Sequence, residues 1–419
     1  MERLYWNNDW KFAETWEEAM KEAVYPENEM EDVRLPHTCK ELPYHYFDEH
    51  AYQMLCGYRR HFMAPEAWQG KSVELTFEGV AHDAVVYVNG TEVKAHHCGY
   101  TAFFVEIAKY LKYGEDNVLA VRVDSRENLN IPPFGYAIDY MTFGGMYREV
   151  YVQVRNKTHL SDVFVKPQIH PLQVTTEITV QNISDGITLQ QEIRKKGEGA
   201  YSPLGKKPVK QTNVQTVFPV QEIRLWEPEN PYLYEIRTSL WKNGEMIDAR
   251  VDITGFREAG FRKDGFYLNG KKLRLRGLNR HQSYPYVGYA APASMQIFDA
   301  DILKKELGVN AVRTSHYPQS QDFIRRCDEI GLLVFTEFPG WQHIGGEEWK
   351  RQAVQNLKEM IVQYRNHPSI ILWGVRINES QDDDVFYRET NRVAHELDDT
   401  RATGGVRMLK KSHLLEDVY

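Results

Sequence analysis

The sequence predicts a multi-domain chain, all-β over its first two-thirds and α/β over the remainder. Two observations predict this. Short apolar runs with period-two alternation recur as far as Thr254, punctuated by the dipeptides Asn89-Gly90 and Asn243-Gly244, which suit the positive φ that a tight hairpin needs at both central positions. After Gly255 short apolar segments alternate with stretches whose apolar residues recur at three- and four-residue steps. That is the pattern of parallel strands joined by helices.

In chain order, Phe77-Glu-Gly-Val, Ala84–Val88, Thr101–Ile107 and Val118–Val123 read as strands of a sandwich over residues 1–155. Residues 156–254 repeat the pattern with Val174–Val180 and Tyr232–Leu240, and a hundred or so residues of short strands fits an immunoglobulin-like sandwich. The polar stretch from Lys195 to Gln215 reads as loop. Residues 255–419 open with a hairpin at Asn269-Gly270. Strands are expected near Leu273–Arg276, Val309–Arg313, Leu332–Phe335, Ile370–Glu379 and Thr403–Arg407, with helices marked by Ile302, Leu303 and Leu307, by Phe323, Ile324 and Cys327, and by Trp349, Ala353, Leu357, Ile361 and Tyr364. A closed (β/α)8 barrel needs eight strands and about 250 residues, whereas about 165 follow Gly255. The expectation is a partial barrel, truncated after about strand five, with an open sheet edge.

Composition narrows the function. The chain has 419 residues, 42% hydrophobic and 26% charged, with net charge −8 and pI near 6.0. This is ordinary for a globular protein and argues against a nucleic-acid partner, which wants a basic stripe. No apolar run is long enough for a membrane span. Met1–Trp10 has no apolar signal core, so the expected location is cytoplasmic, or secreted or periplasmic if a signal peptide was removed. Cys39, Cys56, Cys98 and Cys327 are scattered without metal spacing, and free thiols fit a reducing compartment. No metal or other cofactor is expected. Isologous dimers are common among enzymes, and a homo-oligomer is compatible with the sequence.

The run Ile370-Ile-Leu-Trp-Gly-Val-Arg-Ile-Asn-Glu379 is the most informative stretch. It reads as a buried parallel strand ending in an amide and a carboxylate, and barrel chemistry sits at that C-terminal tip. A glutamate desolvated there keeps its proton nearer neutral pH and can act as a general acid. The alternative is a strand-ending glutamate paired with an arginine. Three further blocks precede it: Leu273-Arg-Leu-Arg-Gly-Leu-Asn-Arg-His281, Gly308-Val-Asn-Ala-Val-Arg-Thr-Ser-His-Tyr-Pro318 and Cys327-Asp-Glu-Ile-Gly-Leu-Leu-Val-Phe-Thr-Glu337. With Phe77-Glu-Gly-Val, Val88-Asn-Gly90 and Gly144-Gly-Met-Tyr-Arg148 upstream, the order and spacing resemble glycoside hydrolase family 2, the family of β-galactosidases, β-glucuronidases and β-mannosidases.

The resemblance implies a jelly-roll, sugar-binding-type first domain, an immunoglobulin-like second domain and a catalytic barrel that hydrolyses terminal β-linked sugars with retention. It makes Glu379 the acid/base and places Asn378 on the sugar 2-hydroxyl, a contact that strengthens in the transition state. The family's nucleophile comes from the seventh strand, outside this sequence. Glu337 could replace it or, more in keeping with the family, support other groups. His281 and His316 fall at expected strand tips as sugar-hydroxyl ligands, and Arg313 either orients a carboxylate or pairs with one. Asp139 is either a turn former or the residue that reaches the substrate from the first domain. Trp341 either stacks on a sugar face or packs beneath its loop. Asn279-Arg-His281 and Asp139 lean towards galactosides; β-glucuronidase and a non-catalytic carbohydrate-binding or scaffold protein are the rival readings. Three departures stand out. One extra residue separates Trp373 from Asn378, with Arg376 in the interval, implying a bulge. Trp341 stands where metal-binding members carry an acid, followed by His343. Gln282 replaces a frequent Glu.

Overall fold

The computed structural model describes residues 3–45, 48–135 and 138–418. The first domain is a jelly-roll sandwich. A six-stranded antiparallel sheet runs in the order Glu31–Val33, Trp10–Ala13, Leu55–Met63, Asp116–Asp124, Asp83–Val88, Thr91–His96. It faces a four-stranded sheet of Leu4–Tyr5, Val150–Arg155, Ser72–Phe77 and Phe103–Glu106. Val73, Leu75, Phe77, Val86, Val121 and Tyr58 alternate inward into one buried core. Asn89-Gly90 joins two neighbouring strands with φ of 50° and 83°, as a type I′ turn requires.

The second domain is an immunoglobulin-like sandwich. His159–Gln168, Gln173–Gln181 and Asn213–Pro219 face Ser202–Pro208, Ile187–Lys195, Tyr234–Lys242 and Glu245–Thr254. Asn243-Gly244 turns the last hairpin at φ 53° and 83°. The polar stretch expected as loop contains the edge strand Ser202–Pro208, which pairs with Ile187–Lys195. Its side chains are mostly exposed, so it lacks the apolar alternation by which a strand is recognised, and main-chain pairing alone defines it.

The third part holds five parallel strands in sequence order, Gly277–Asn279, Ala311–Thr314, Leu333–Glu337, Ile370–Gly374 and Ala402–Gly404. They are connected by helices α1 (Ala293–Asp301), extended by a π turn over Ile302–Glu306, α2 (Gln321–Ile330), α3 (Glu347–Tyr364) and α4 (Asp384–Leu397). Val312, Val334 and Trp373 face the helices and pack with Phe323, Leu357, Met360 and Ile361. Ala311, Leu333, Phe335 and Leu372 face the other way, onto Phe266, Leu268 and Trp226. The first strand begins at Gly277 rather than Leu273 and is exposed over its whole length. It has a ladder partner on one side only, while Asn310 takes up the backbone of Arg274 and Arg276 through its side chain. At the opposite edge Ala402–Gly404 is bridged by Val418, and Asp417 accepts from the Thr403 N–H at 2.9 Å.

Two seams fix the barrel strands. Arg148 is buried and donates to the carbonyls of Glu78 and Tyr100, to Gln282 Oε1 at 3.0 Å and to the Pro318 carbonyl at 3.1 Å. One guanidinium thus ties the first domain to the loops after barrel strands one and two, and Gln282 serves as its acceptor. On the other side Trp226 donates to the Asp328 carbonyl at 2.8 Å, and Arg257 donates to the carbonyls of Pro368 and Ile370. Gly331 ends α2 in the left-handed region at φ 71°, and a Cβ there would stand 2.3 Å from the Pro228 carbonyl. Gly331→Ala is therefore expected to destabilise the barrel by about 1–3 kcal/mol through left-handed strain and overpacking. Urea unfolding followed by tryptophan fluorescence checks it; an unchanged midpoint would contradict the seam.

Candidate active site

Strand alternation puts the key side chains on one face. Arg313 follows Ala311 by two residues, and Glu337 follows Phe335 by two, so both project from the C-terminal ends of adjacent strands onto the non-helix face. There Arg313 grips Glu337 at 2.8, 3.0 and 3.1 Å. The same guanidinium donates to Asn378 Oδ1 at 2.7 Å. Glu337 is 1% exposed and also faces His316 Nδ1 at 2.9 Å. One cation therefore brings together residues from barrel strands two and three and from the segment after strand four. Because Asn378 Oδ1 accepts from Arg313, its amide N–H groups remain available to donate elsewhere.

Glu379 does not sit on the strand itself. The fourth strand ends at Gly374, and the chain runs on through Val375, Arg376 and Ile377, all buried. The irregularity in the ladder lies earlier, opposite Val334 and Phe335, rather than at Arg376. Arg376 turns inside, where Asp382 accepts at 2.5 Å, Glu416 stands at 3.6 Å and the Tyr387 ring lies 4.4 Å away. The extra residue is thus absorbed after the strand's end. Glu379 has φ 55°; its N–H bonds the Val406 carbonyl at 2.8 Å, and its Oε2 accepts from Gln342 at 3.2 Å. Gln342, also at φ 55°, donates its own N–H to the Asn378 carbonyl, and Trp341 bridges Asn378 in parallel register. The loop after strand three thereby clamps the Asn-Glu pair, and Trp341 is half-buried in that clamp.

His281 follows the first strand, with its imidazole 5.4 Å from that of His316. Burial, and then the neighbouring His316, push its pKa down to about 4, although the residue keeps an exposed side. The first domain reaches this place through residues 134–135 and 138–146. Trp349 donates to the Phe134 carbonyl, Tyr289 to the Met141 carbonyl, and the Thr142 N–H to the Tyr52 hydroxyl. Gly135 lies so close to His343 that a Cβ would stand 2.2 Å from the ring. This anchoring carries Asp139, exposed, to a place where its charge acts on His281. It lays the Tyr140 ring 5.2 Å from His281 and 5.7 Å from His316. Among the described residues no group of three or more His, Cys, Asp or Glu is arranged to hold a metal, and no helix is long and apolar enough to cross a membrane.

The structure thus gathers Arg313, Glu337, His316 and Asn378 by direct contact, places Glu379, Trp341 and His281 at their border, and brings Asp139 in from another domain. Tyr140, Tyr317 and Gln342 were not singled out in the sequence. Tyr140 adjoins Asp139, Tyr317 adjoins His316 and Gln342 adjoins Trp341, so adjacency was their only signal.

Residues 32–155 match the sugar binding domain of glycosyl hydrolases family 2, residues 158–257 a second domain of glycosyl hydrolases family 2, and residues 260–415 that family's TIM barrel domain. The chain belongs to glycosyl hydrolase family 2. It is 48% identical over 424 residues to a beta-galactosidase of Thermoanaerobacter pseudethanolicus, covering 99% of this chain and 57% of that protein. It is 33% identical to a beta-glucuronidase of Bacteroides fragilis, covering 82% and 53%. Among solved structures, beta-glucuronidase 2 of Bacteroides uniformis superposes with TM-score 0.87 at 28% identity, covering 96% of this chain and 52% of that one. The chain spans about half the length of these family members.

Removing Arg313 would leave Glu337 as a buried, uncompensated carboxylate. Arg313→Met is expected to cost about 3–5 kcal/mol, and the double variant Arg313→Met/Glu337→Leu to recover most of that loss. Denaturant titrations of both variants measure the difference; a double variant no more stable than Arg313→Met would contradict the ion pair's role.

Proposed function

We propose that residues 1–419 form the greater part of the active site of a β-glycosidase that hydrolyses terminal β-linked sugars, β-galactosides foremost, with retention. The domains divide near residues 155 and 254. Glu379 is the acid/base, and the nucleophile comes from a part of the protein beyond residue 419. The observation that carries this reading is the fixed polarity of Asn378: Arg313 occupies its carbonyl oxygen, so its amide donates to the sugar 2-hydroxyl beside Glu379. Hydrogen bonds to that hydroxyl strengthen as the oxocarbenium-like transition state forms. Glu337, saturated by Arg313 and His316, is poorly placed to attack an anomeric carbon. It holds the arginine and imidazole in position.

The mechanism follows from these roles. Glu379 gives its proton to the glycosidic oxygen as the carboxylate nucleophile attacks the opposite side of the anomeric carbon. It then takes a proton from the water that releases the sugar. His281, His316, Arg313 and Asp139 line the sugar's approach, with Trp341 at its edge. The 48% identity to a beta-galactosidase supports a galactoside substrate, and the beta-glucuronidase relatives support a glucuronide as the second reading. These roles call on no cofactor, and a homo-oligomer is compatible with them.

In the longest natural protein containing these residues, Glu379→Gln is expected to slow glycosides with poor leaving groups by about 10²–10⁴-fold, the usual worth of a general acid. Activated aryl glycosides should keep their first step, since their phenolates depart without protonation. Added azide should restore turnover, because an anion attacks the glycosyl-enzyme without a general base. Equal losses on both substrate types with no azide rescue would overturn the acid/base assignment. Sustained turnover by residues 1–419 alone, abolished by Glu337→Gln, would make Glu337 the nucleophile instead.

A further inference from the structure

The imidazoles of His281 and His316 are neighbours, but their Nδ1 atoms face different partners. His281 Nδ1 lies 3.0 Å from the Tyr317 hydroxyl, and His316 Nδ1 lies 2.9 Å from Glu337 Oε1. A neutral imidazole carries one N–H and one bare nitrogen, and the partner on one nitrogen decides which is which.

A carboxylate can only accept, so His316 carries a proton on Nδ1; because Arg313 already pairs with Glu337, we take the ring as neutral, with Nε2 bare. Arg313 Nη2 also stands 3.2 Å from this Nδ1. Its shorter bonds run to Glu337 at 2.8 Å and Asn378 at 2.7 Å, so the guanidinium has no need of the imidazole nitrogen. Tyr317 presents the opposite polarity. Burial pushes its hydroxyl up to about 12, so it keeps its proton. The Gln282 N–H approaches its oxygen. Tyr289 gives its own proton to the Met141 carbonyl at 2.7 Å, which leaves the Tyr289 oxygen as a rival acceptor beside Tyr317, but it is His281 Nδ1 that stands in hydrogen-bond geometry with the Tyr317 hydroxyl, at 3.0 Å. The Tyr317 proton therefore goes to His281 Nδ1, which places the His281 proton on Nε2. The Tyr140 hydroxyl has no hydrogen-bond partner among the described residues, so it does not compete for either ring. Neither Nε2 has a protein partner among the described residues.

We propose that His281 and His316 are held in opposite neutral tautomers, His281 by Tyr317 and His316 by Glu337, so that the site presents one N–H donor beside one bare nitrogen acceptor. Resting on the sugar-site reading above, this pair fits a polyol face on which one hydroxyl accepts from His281 and another donates to His316. A sugar bearing fluorine in place of the second hydroxyl would lose that donation. Tyr317 and Glu337 act as positioning residues through the rings they fix.

Long-range proton–nitrogen correlation spectra of the histidine side chains test this on the uniformly ¹⁵N-labelled longest natural protein containing residues 1–419, at pH 7 and without any ligand. His281→Asn and His316→Asn assign the two sets of cross-peaks by their loss. The expected result is an Nε2–H pattern for His281 and an Nδ1–H pattern for His316. In Tyr317→Phe the His281 pattern should move to a mixture of tautomers while that of His316 stays. The same tautomer in both rings, or a His281 pattern unchanged in Tyr317→Phe, would overturn the proposal. The wild-type spectrum decides the tautomers even if that variant does not fold. Since no sugar is present, a failed glycosidase assay would leave this result standing, and a failed spectrum would leave the glycosidase reading standing.

Discussion

The site depends on one guanidinium. Arg313 satisfies a carboxylate that is almost wholly removed from water, and it reaches across to Asn378 with the same nitrogen. A buried carboxylate left alone is costly, whereas one that accepts several charge-assisted bonds has little freedom to move. That cost locks Glu337 and Asn378 onto the same arginine and fixes the spacing of strands two to four at their C-terminal ends. The orientation of the Asn378 amide and the proton position on His316 both follow from it.

The surrounding domains serve the same end. Arg148 joins the first sandwich to the barrel loops through four buried acceptors. The segment carrying Asp139 and Tyr140 is pinned from both sides, by Tyr52 within its own domain and by Tyr289 and Trp349 from the barrel. A carboxylate and an aromatic ring from a sugar-binding-type domain therefore stand over imidazoles that belong to the barrel. The arginine of the motif Gly144-Gly-Met-Tyr-Arg148 belongs to this seam, far along the chain from the chemistry, while its two glycines allow close packing inside the first domain against Ser125, Cys39 and His37.

The fold was legible wherever burial leaves a period in the sequence. The Asn-Gly turns, the inward alternation of the first sandwich and the helices around Phe323 and Trp349 are all of this kind. Ser202–Pro208 was not legible, because an exposed edge strand carries no apolar alternation. The first barrel strand was misplaced by about one turn of chain, since its ladder has a partner on one side only. In the site, the period of two placed Arg313 and Glu337 on one face. It could not show that the fourth strand stops at Gly374, nor that Arg376 is swallowed by Asp382 and Tyr387, because that outcome depends on residues far ahead in the chain. The clamp by Gln342 and the contact of Tyr317 with His281 are tertiary, with no local pattern.

The most direct measurement is a crystal structure of the longest natural protein containing residues 1–419, bound to an unreactive β-galactoside. The account predicts the glycosidic oxygen within hydrogen-bond reach of Glu379, about 3 Å, the 2-hydroxyl on the Asn378 amide, and Glu337 still held by Arg313. A sugar seated away from Asn378 and Glu379, or a Glu337 carboxylate released from Arg313 and turned to the anomeric carbon, would contradict it.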